Sequence, residues 1–165
     1  MKLRVETTSP ATVEQNFASR TEQGVREEAC RESGALSYQV SIERTADGGA
    51  RVDVRRVMPA QVPDVVRRFV GETIAVEQIE QWGPAAPDGS RSATVRVSVT
   101  GQPAQMAGTM ALTPTAGGCA ELVTGDVTVS IPFLGKRIEP EIVKVIEAAL
   151  RIEHRVGQAW IAQHR

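Results

Sequence analysis

The hydrophobic pattern changes period once, and that change constrains the fold more than any other feature. Over residues 36–131 apolar side chains recur mostly at every second position, the repeat of a strand with one buried face. From Ile138 to Trp160 they recur every three or four, through Ile142, Val145, Ile146, Ala149, Ile152 and Val156, while Lys144, Glu147, Arg151 and Arg155 take other positions. The spacing predicts antiparallel strands followed by one amphipathic helix of about 25 residues, nearly 40 Å long at roughly 1.5 Å per residue. Such a helix must lay its apolar stripe on the sheet, so the two periods together imply an α+β chain.

The remaining elements follow from punctuation. Leu3, Val5 and Thr7 alternate with Arg4, Glu6 and Thr8, a first strand over 2–8. Ser9-Pro10 reads as the N-cap and first position of a short helix reaching Ala18. A second, highly charged helix over 21–32 closes at Ser33-Gly34. Asp47-Gly48-Gly49 between alternating runs at 36–45 and 51–58 is a hairpin signal, because the turn needs positive φ angles. Residues 64–69 read as one or two helical turns anchored by Phe69 and ended by Gly71. Strands follow at 72–82, 92–100, 105–113 and 120–131, and a meander is their simplest connection. Within 72–82 the apolar face switches from Ile74 and Val76 to Ile79, which implies a bulge.

Composition bounds the function. With 165 residues and 41% hydrophobic content the chain can build one core without disulfide or metal. Nineteen Lys+Arg against twenty Asp+Glu argue against a strongly electrostatic nucleic-acid binder or a polybasic membrane anchor. Charge appears within the first few residues and nothing approaches 18 consecutive apolar positions, so the expectation is a cytoplasmic protein without a secretory signal or an integral membrane span. Cys30 and Cys119 read as buried thiols.

The residues give chemistry little foothold. His154 falls off the helix stripe and reads as solvated, and His164 lies one residue from the end. No His-x-Glu, Glu-x-x-His or Cys-x-x-Cys spacing collects a metal, and no Gly-x-Ser-x-Gly elbow presents a serine. No catalytic residue, metal ligand or cofactor is assigned. Val66 to Val70, with its Arg pair beside Phe69, reads as an exposed turn of helix and not as a membrane or nucleic-acid contact.

One strand, two short helices, a run of antiparallel strands and a long last helix is an order that resembles the START and pollen-allergen superfamily, the SRPBCC or helix-grip proteins. The sharpest stretch is Gly125-Asp126-Val127-Thr128-Val129-Ser130-Ile131-Pro132-Phe133-Leu134-Gly135-Lys136-Arg137-Ile138-Glu139, where a last strand breaks at proline and enters the helix. Together with Pro63 to Gly71 leading into a strand that ends at Trp82, and with Trp160 late in the helix, it looks like an actinobacterial branch of that superfamily. The resemblance covers nearly the whole chain, so residues 1–165 are expected to form one START-like domain of about seven strands in the order β-α-α-β-β-β-β-β-β-α. It implies a cavity for an apolar ligand between sheet and helix, a mouth edged by loops near Phe69, and no particular activity.

Slender side chains support the same expectation. On the strands, Val40, Ile42, Val52, Val54, Val95 and Val97 are expected to face the cavity, with Met58, Met106 and Met110 as adaptable linings and Val127 and Val129 from the last strand. Ile142, Val145, Ile146 and Ala149 are expected from the helix. An ordinary filled core of the same residues is the competing expectation. Arg56 shares strand parity with Val52, Val54 and Met58, so it is expected inward if the register holds, where it needs a carboxylate or a ligand oxygen with Glu80 and Asp126 as candidate partners; the competing expectation is that twist or a bulge carries it to the rim.

The leading functional expectation is an intracellular binding module for a lipid, polyketide or isoprenoid-like molecule. A cyclase or hydratase using the same cavity is the alternative, with Tyr38 the single tyrosine available, and a partner-binding protein with a filled core is the third. The sequence leaves oligomeric state and ligand identity open.

Overall fold

The computed structural model describes residues 1–164, and the side chains of Val65 and Phe69, including the expected Phe69 anchor, lie outside the described residues. In chain order the elements are β1 (Lys2–Ser9), α1 (Val13–Arg20), α2 (Gln23–Glu32), β2 (Ser37–Arg44), β3 (Ala50–Pro59), α3 (Asp64–Val70), β4 (Thr73–Trp82), β5 (Arg91–Val99), β6 (Ala104–Thr115), β7 (Gly118–Val129) and α4 (Gly135–Gln163). The strands form a seven-stranded sheet in the order β1-β7-β6-β5-β4-β3-β2, with every pairing antiparallel. Strands β2 to β7 are the expected meander, and β1 closes on β7. This is the helix-grip architecture, with α4 lying against the inner face of the sheet.

Local chemistry explains the elements. Between β2 and β3, Asp47 Oδ1 accepts from the Gly49 amide at 2.9 Å while Gly48 takes a φ of 88°, the turn the sequence announces. The first helix starts later than expected: Thr12, not Ser9, is its N-cap, in a capping box with Gln15. Thr12 has a Gln three residues on to complete the reciprocal pair, which Ser9 lacks. Ser9 ends β1 and donates to Gln158 Oε1 at 2.6 Å, tying that strand to α4.

The expected bulge in β4 is absent. Its register with β3 runs unbroken from Ala50 opposite Trp82 to Pro59 opposite Thr73. Ile74, Val76, Gln78, Glu80 and Trp82 therefore share the inner face, and Ile79 stands on the outer face opposite Asp53 and Arg96. A polar pair inside a strand looked like a change of face, but Gln78 and Glu80 remain inward because both are hydrogen-bonded there.

Strands β6 and β7 place Gly108 opposite Gly125. A Cβ on Gly108 would lie 1.9 Å from the Thr124 carbonyl oxygen, so any side chain there collides with the neighbouring backbone. Paired glycines at this point let the sheet bend sharply, as one that grips a helix must. The helix is 29 residues long and carries Pro140 just past its first turn, where the missing N–H leaves the Lys136 carbonyl without its intrahelical donor. No helix among the described residues is long and apolar enough to cross a membrane.

Candidate functional site

The space between sheet and α4 is filled at one end and open at the other. At the filled end Phe17 of α1 meets Trp82 of β4 edge to face, with ring centroids 5.6 Å apart. Val40, Val52, Val54, Met110 and Val127, all expected on a cavity wall, are buried in the same core cluster as these two rings, with Ile42 partly buried against it. Val129 sits in a separate cluster with Val66 and Ile138. These seven positions face inward as their parity requires. The aromatic side chains that plug this end come from distant elements, which periodicity does not reveal.

Toward α3 the packing gives way to a cavity of about 120 Å³. Nine of the expected positions line it: Arg56, Met58, Val95, Val97, Met106, Ile142, Val145, Ile146 and Ala149. Ile74, Val76, Val123 and Leu150 contribute as well. Exposure of the wall falls from Pro59, Gln61, Gln105 and Val145, which are exposed, to Arg56, Gln78, Val95 and Met106, which are buried. The mouth thus lies between the β3–α3 loop, the β5–β6 hairpin and the first half of α4.

The inner end of the cavity borders a buried cluster of charge. Arg20 of α1 is bonded to Glu121 of β7 and donates from Nη1 to Glu153 of α4 at 2.9 Å. Arg26 of α2 donates from Nη2 to Glu80 Oε1 at 2.8 Å and lies 3.5 Å from Glu153. Glu80 also accepts from Gln78 Nε2 and from Trp82 Nε1, each at 2.9 Å. Burial alone pushes the Glu153 carboxyl up, but Arg26, Arg20 and Arg56 override that and hold it down at about 2. Arg20 and Arg26 are opposed by burial and in turn held above the ordinary arginine range by Glu121, Glu80 and Glu153.

Arg56 points inward, 7% exposed. Its Nη2 donates to Gln78 Oε1 at 3.1 Å, and its Nη1 lies 3.8 Å from Glu153 Oε1. Of the two partners expected for it, Glu80 is buried one step away, linked through Gln78 and engaged with Arg26. Asp126 is on the outer face, exposed and paired with Lys2 at 2.8 Å. Even-numbered β7 residues point outward there, while Glu121 points inward with Val123 and Val127.

Sequence reasoning missed Arg20, Arg26, Glu121 and Glu153. The parity that singled out Arg56 also places Glu121 inward, and Glu153 follows Ile146 and Leu150 on one helix face, so both carried a usable signal. Arg20 and Arg26 carried none, because a charged helix reads as solvated until its partners are placed. His154 is also corrected: it is half-buried, with Nδ1 3.2 Å from Thr7 Oγ1. Tyr38 lies off the cavity, its hydroxyl accepting from Arg31 Nη1 at 2.7 Å. Cys30 and Cys119 are free and buried.

Comparison with known proteins agrees with this geometry. Over 115 residues the chain is 27% identical to the uncharacterized protein Rv0481c of Mycobacterium tuberculosis, covering 68% of this chain and 66% of that one, just under two thirds of the relative's length. TTHA0849 from Thermus thermophilus matches with a TM-score of 0.66 at 16% identity over 99% of both chains. Norcoclaurine synthase from Thalictrum flavum, solved with dopamine and hydroxybenzaldehyde, matches with a TM-score of 0.57 at 14% identity over 100% of this chain and 88% of that one. Likeness at this identity shows a shared fold alone, the helix-grip arrangement described above. The family model described as "Protein of unknown function (DUF2505)" matches residues 4–161, and the chain belongs to that family.

Proposed function

We propose that this protein is an intracellular, cytoplasmic binding module that holds one apolar small molecule under the first half of α4. The lipid, polyketide and isoprenoid-like classes are the candidates, and residues 1–165 act as a single domain of an actinobacterial branch. The observation that carries this reading is the cavity itself, an apolar space left open beside an otherwise filled core. Its 120 Å³ is below the roughly 300–1,000 Å³ of drug-sized pockets and close to an engineered apolar cavity of about 150 Å³ that takes benzene. It suits a ring or a short alkyl segment, the rest of a longer guest passing out beside Val145. Burial at about 25 cal/mol per Å² supplies the driving force.

A cyclase or hydratase is the second reading, supported by the polar groups at the inner end and by the fold shared with norcoclaurine synthase. It requires an inward group free to move a proton. Glu153 is held by three arginines and Tyr38 lies elsewhere, which favours binding.

Native mass spectrometry of the protein from its own host tests the proposal. A retained small molecule is expected, lost in Ala149→Phe, which fills the cavity. An empty wild-type protein that also takes up no added apolar probe would remove the proposal.

A further inference from the structure

Three arginines meet three glutamates at the inner end of the cavity: Arg20, Arg26 and Arg56 against Glu80, Glu121 and Glu153. All six side chains are less than a tenth exposed. Their formal charges cancel. His154, beside this cluster, is held below the ordinary histidine range by burial and stays neutral at pH 7. The cluster therefore has no net charge with which to attract an ion.

Arg56 nevertheless has donors to spare. A guanidinium carries five N–H groups. Among the described residues its side-chain partners are Gln78, bonded from Nη2, and the neighbouring Cys30 thiol, a weak acceptor, while Glu153 at 3.8 Å is beyond hydrogen-bond range. The other nitrogens are not sealed in protein: among the described residues, the buried side-chain polar atom without a partner is Asp53 Oδ1, on the far face of the sheet. Arg56 forms part of the cavity wall, which is where its remaining donors can meet a guest.

We infer that the guest is a neutral apolar molecule with one hydrogen-bond-accepting oxygen, a ketone, ester or amide carbonyl, seated against the Arg56 guanidinium. This rests on the cavity reading above and deepens it. A carbonyl oxygen takes up a charged donor without adding charge. A carboxylate would put a fourth negative group into a balanced, desolvated cluster, within reach of Glu153, and would be stripped of water to do so. A plain hydrocarbon would fill the space but leave the Arg56 donors dry.

Three probes of similar size separate these cases: acetophenone, ethylbenzene and benzoate, titrated calorimetrically at pH 7 into the whole protein. Acetophenone is expected to bind about tenfold more tightly than ethylbenzene, the worth of one hydrogen bond from a charged donor, and benzoate more weakly than either. In Arg56→Met the advantage of acetophenone over ethylbenzene is expected to vanish while ethylbenzene still binds. Arg56→Lys, which keeps the charge, serves if the methionine variant does not fold, and should reduce that advantage. Equal affinity of wild type for acetophenone and ethylbenzene would overturn the carbonyl contact and leave the cavity reading intact. Benzoate as the tightest probe would overturn the charge argument. Binding of none of the three would bring down both the inference and the cavity reading.

Discussion

Arg26 and Glu80 meet across α2 and β4 at 2.8 Å, with 2% and 0% of their side chains exposed. Removing one partner of such a pair leaves the other buried and under-compensated, at a cost of about 3–5 kcal/mol. Arg26→Met should therefore lose stability on that scale in urea unfolding, and Arg26→Lys should recover part of it. A loss within about 1 kcal/mol, the range of exposed pairs, would show that water reaches the cluster.

Acid should dismantle the same cluster through Glu153. Its folded value of about 2 lies below the ordinary 4.5, so the unfolded chain binds the proton more readily. The contribution is complete above about pH 4.5 and is lost as pH falls toward 2, amounting to a few kcal/mol in order of magnitude. Glu153→Gln should flatten the stability profile across that window. An unchanged slope would place the acid sensitivity in other carboxylates.

His154 provides a second, milder pH response. Burial lowers its pKa, Glu121 partly restores it, and Arg20 lowers it again. A folded value below the unfolded one means stability is full above about pH 6.5 and declines as pH falls through the folded value. NMR titration should find the His154 ring protonating below 6.5, and His154→Gln should remove this part of the slope. Protonation above 6.5 would contradict the burial of the ring.

Gly108→Ala should destabilise the protein by about 1–3 kcal/mol, because the added methyl meets the Thr124 carbonyl and β6 must shift from β7. Gly24→Ala meets nothing within 4 Å and sits in a helix, so thermal unfolding should find it neutral or slightly stabilising. Equal effects of the two would argue against a tight bend at Gly108.

The sequence carried the architecture because each element announces itself locally. The period of α4, the Asp47-Gly48-Gly49 turn and the alternation of Val52, Val54 and Arg56 need no knowledge of distant residues. The site was legible only in part. Strand parity put Arg56 and four other residues on the cavity wall and helix spacing put four more there, but whether an inward position faces space or a neighbour depends on Phe17 and Trp82, 65 positions apart in sequence by subtraction of their numbers. The charge cluster was hidden for the same reason. Arg20 joins Glu121 and Glu153 across separations of 101 and 133 residues, and each side chain alone has the pattern of a surface residue.

Helix α4 is fastened near both ends. Glu153 and Gln158 tie its rear, and near its start the buried Glu139 accepts from the Val129 amide and pairs with the N-terminal amine, while the stretch between roofs the void and leaves Val145 46% exposed. The helix therefore spans the void like a beam resting on two supports. On the proposed binding role, a guest would enter through the gap beside Val145, with both supports of the roof left in place.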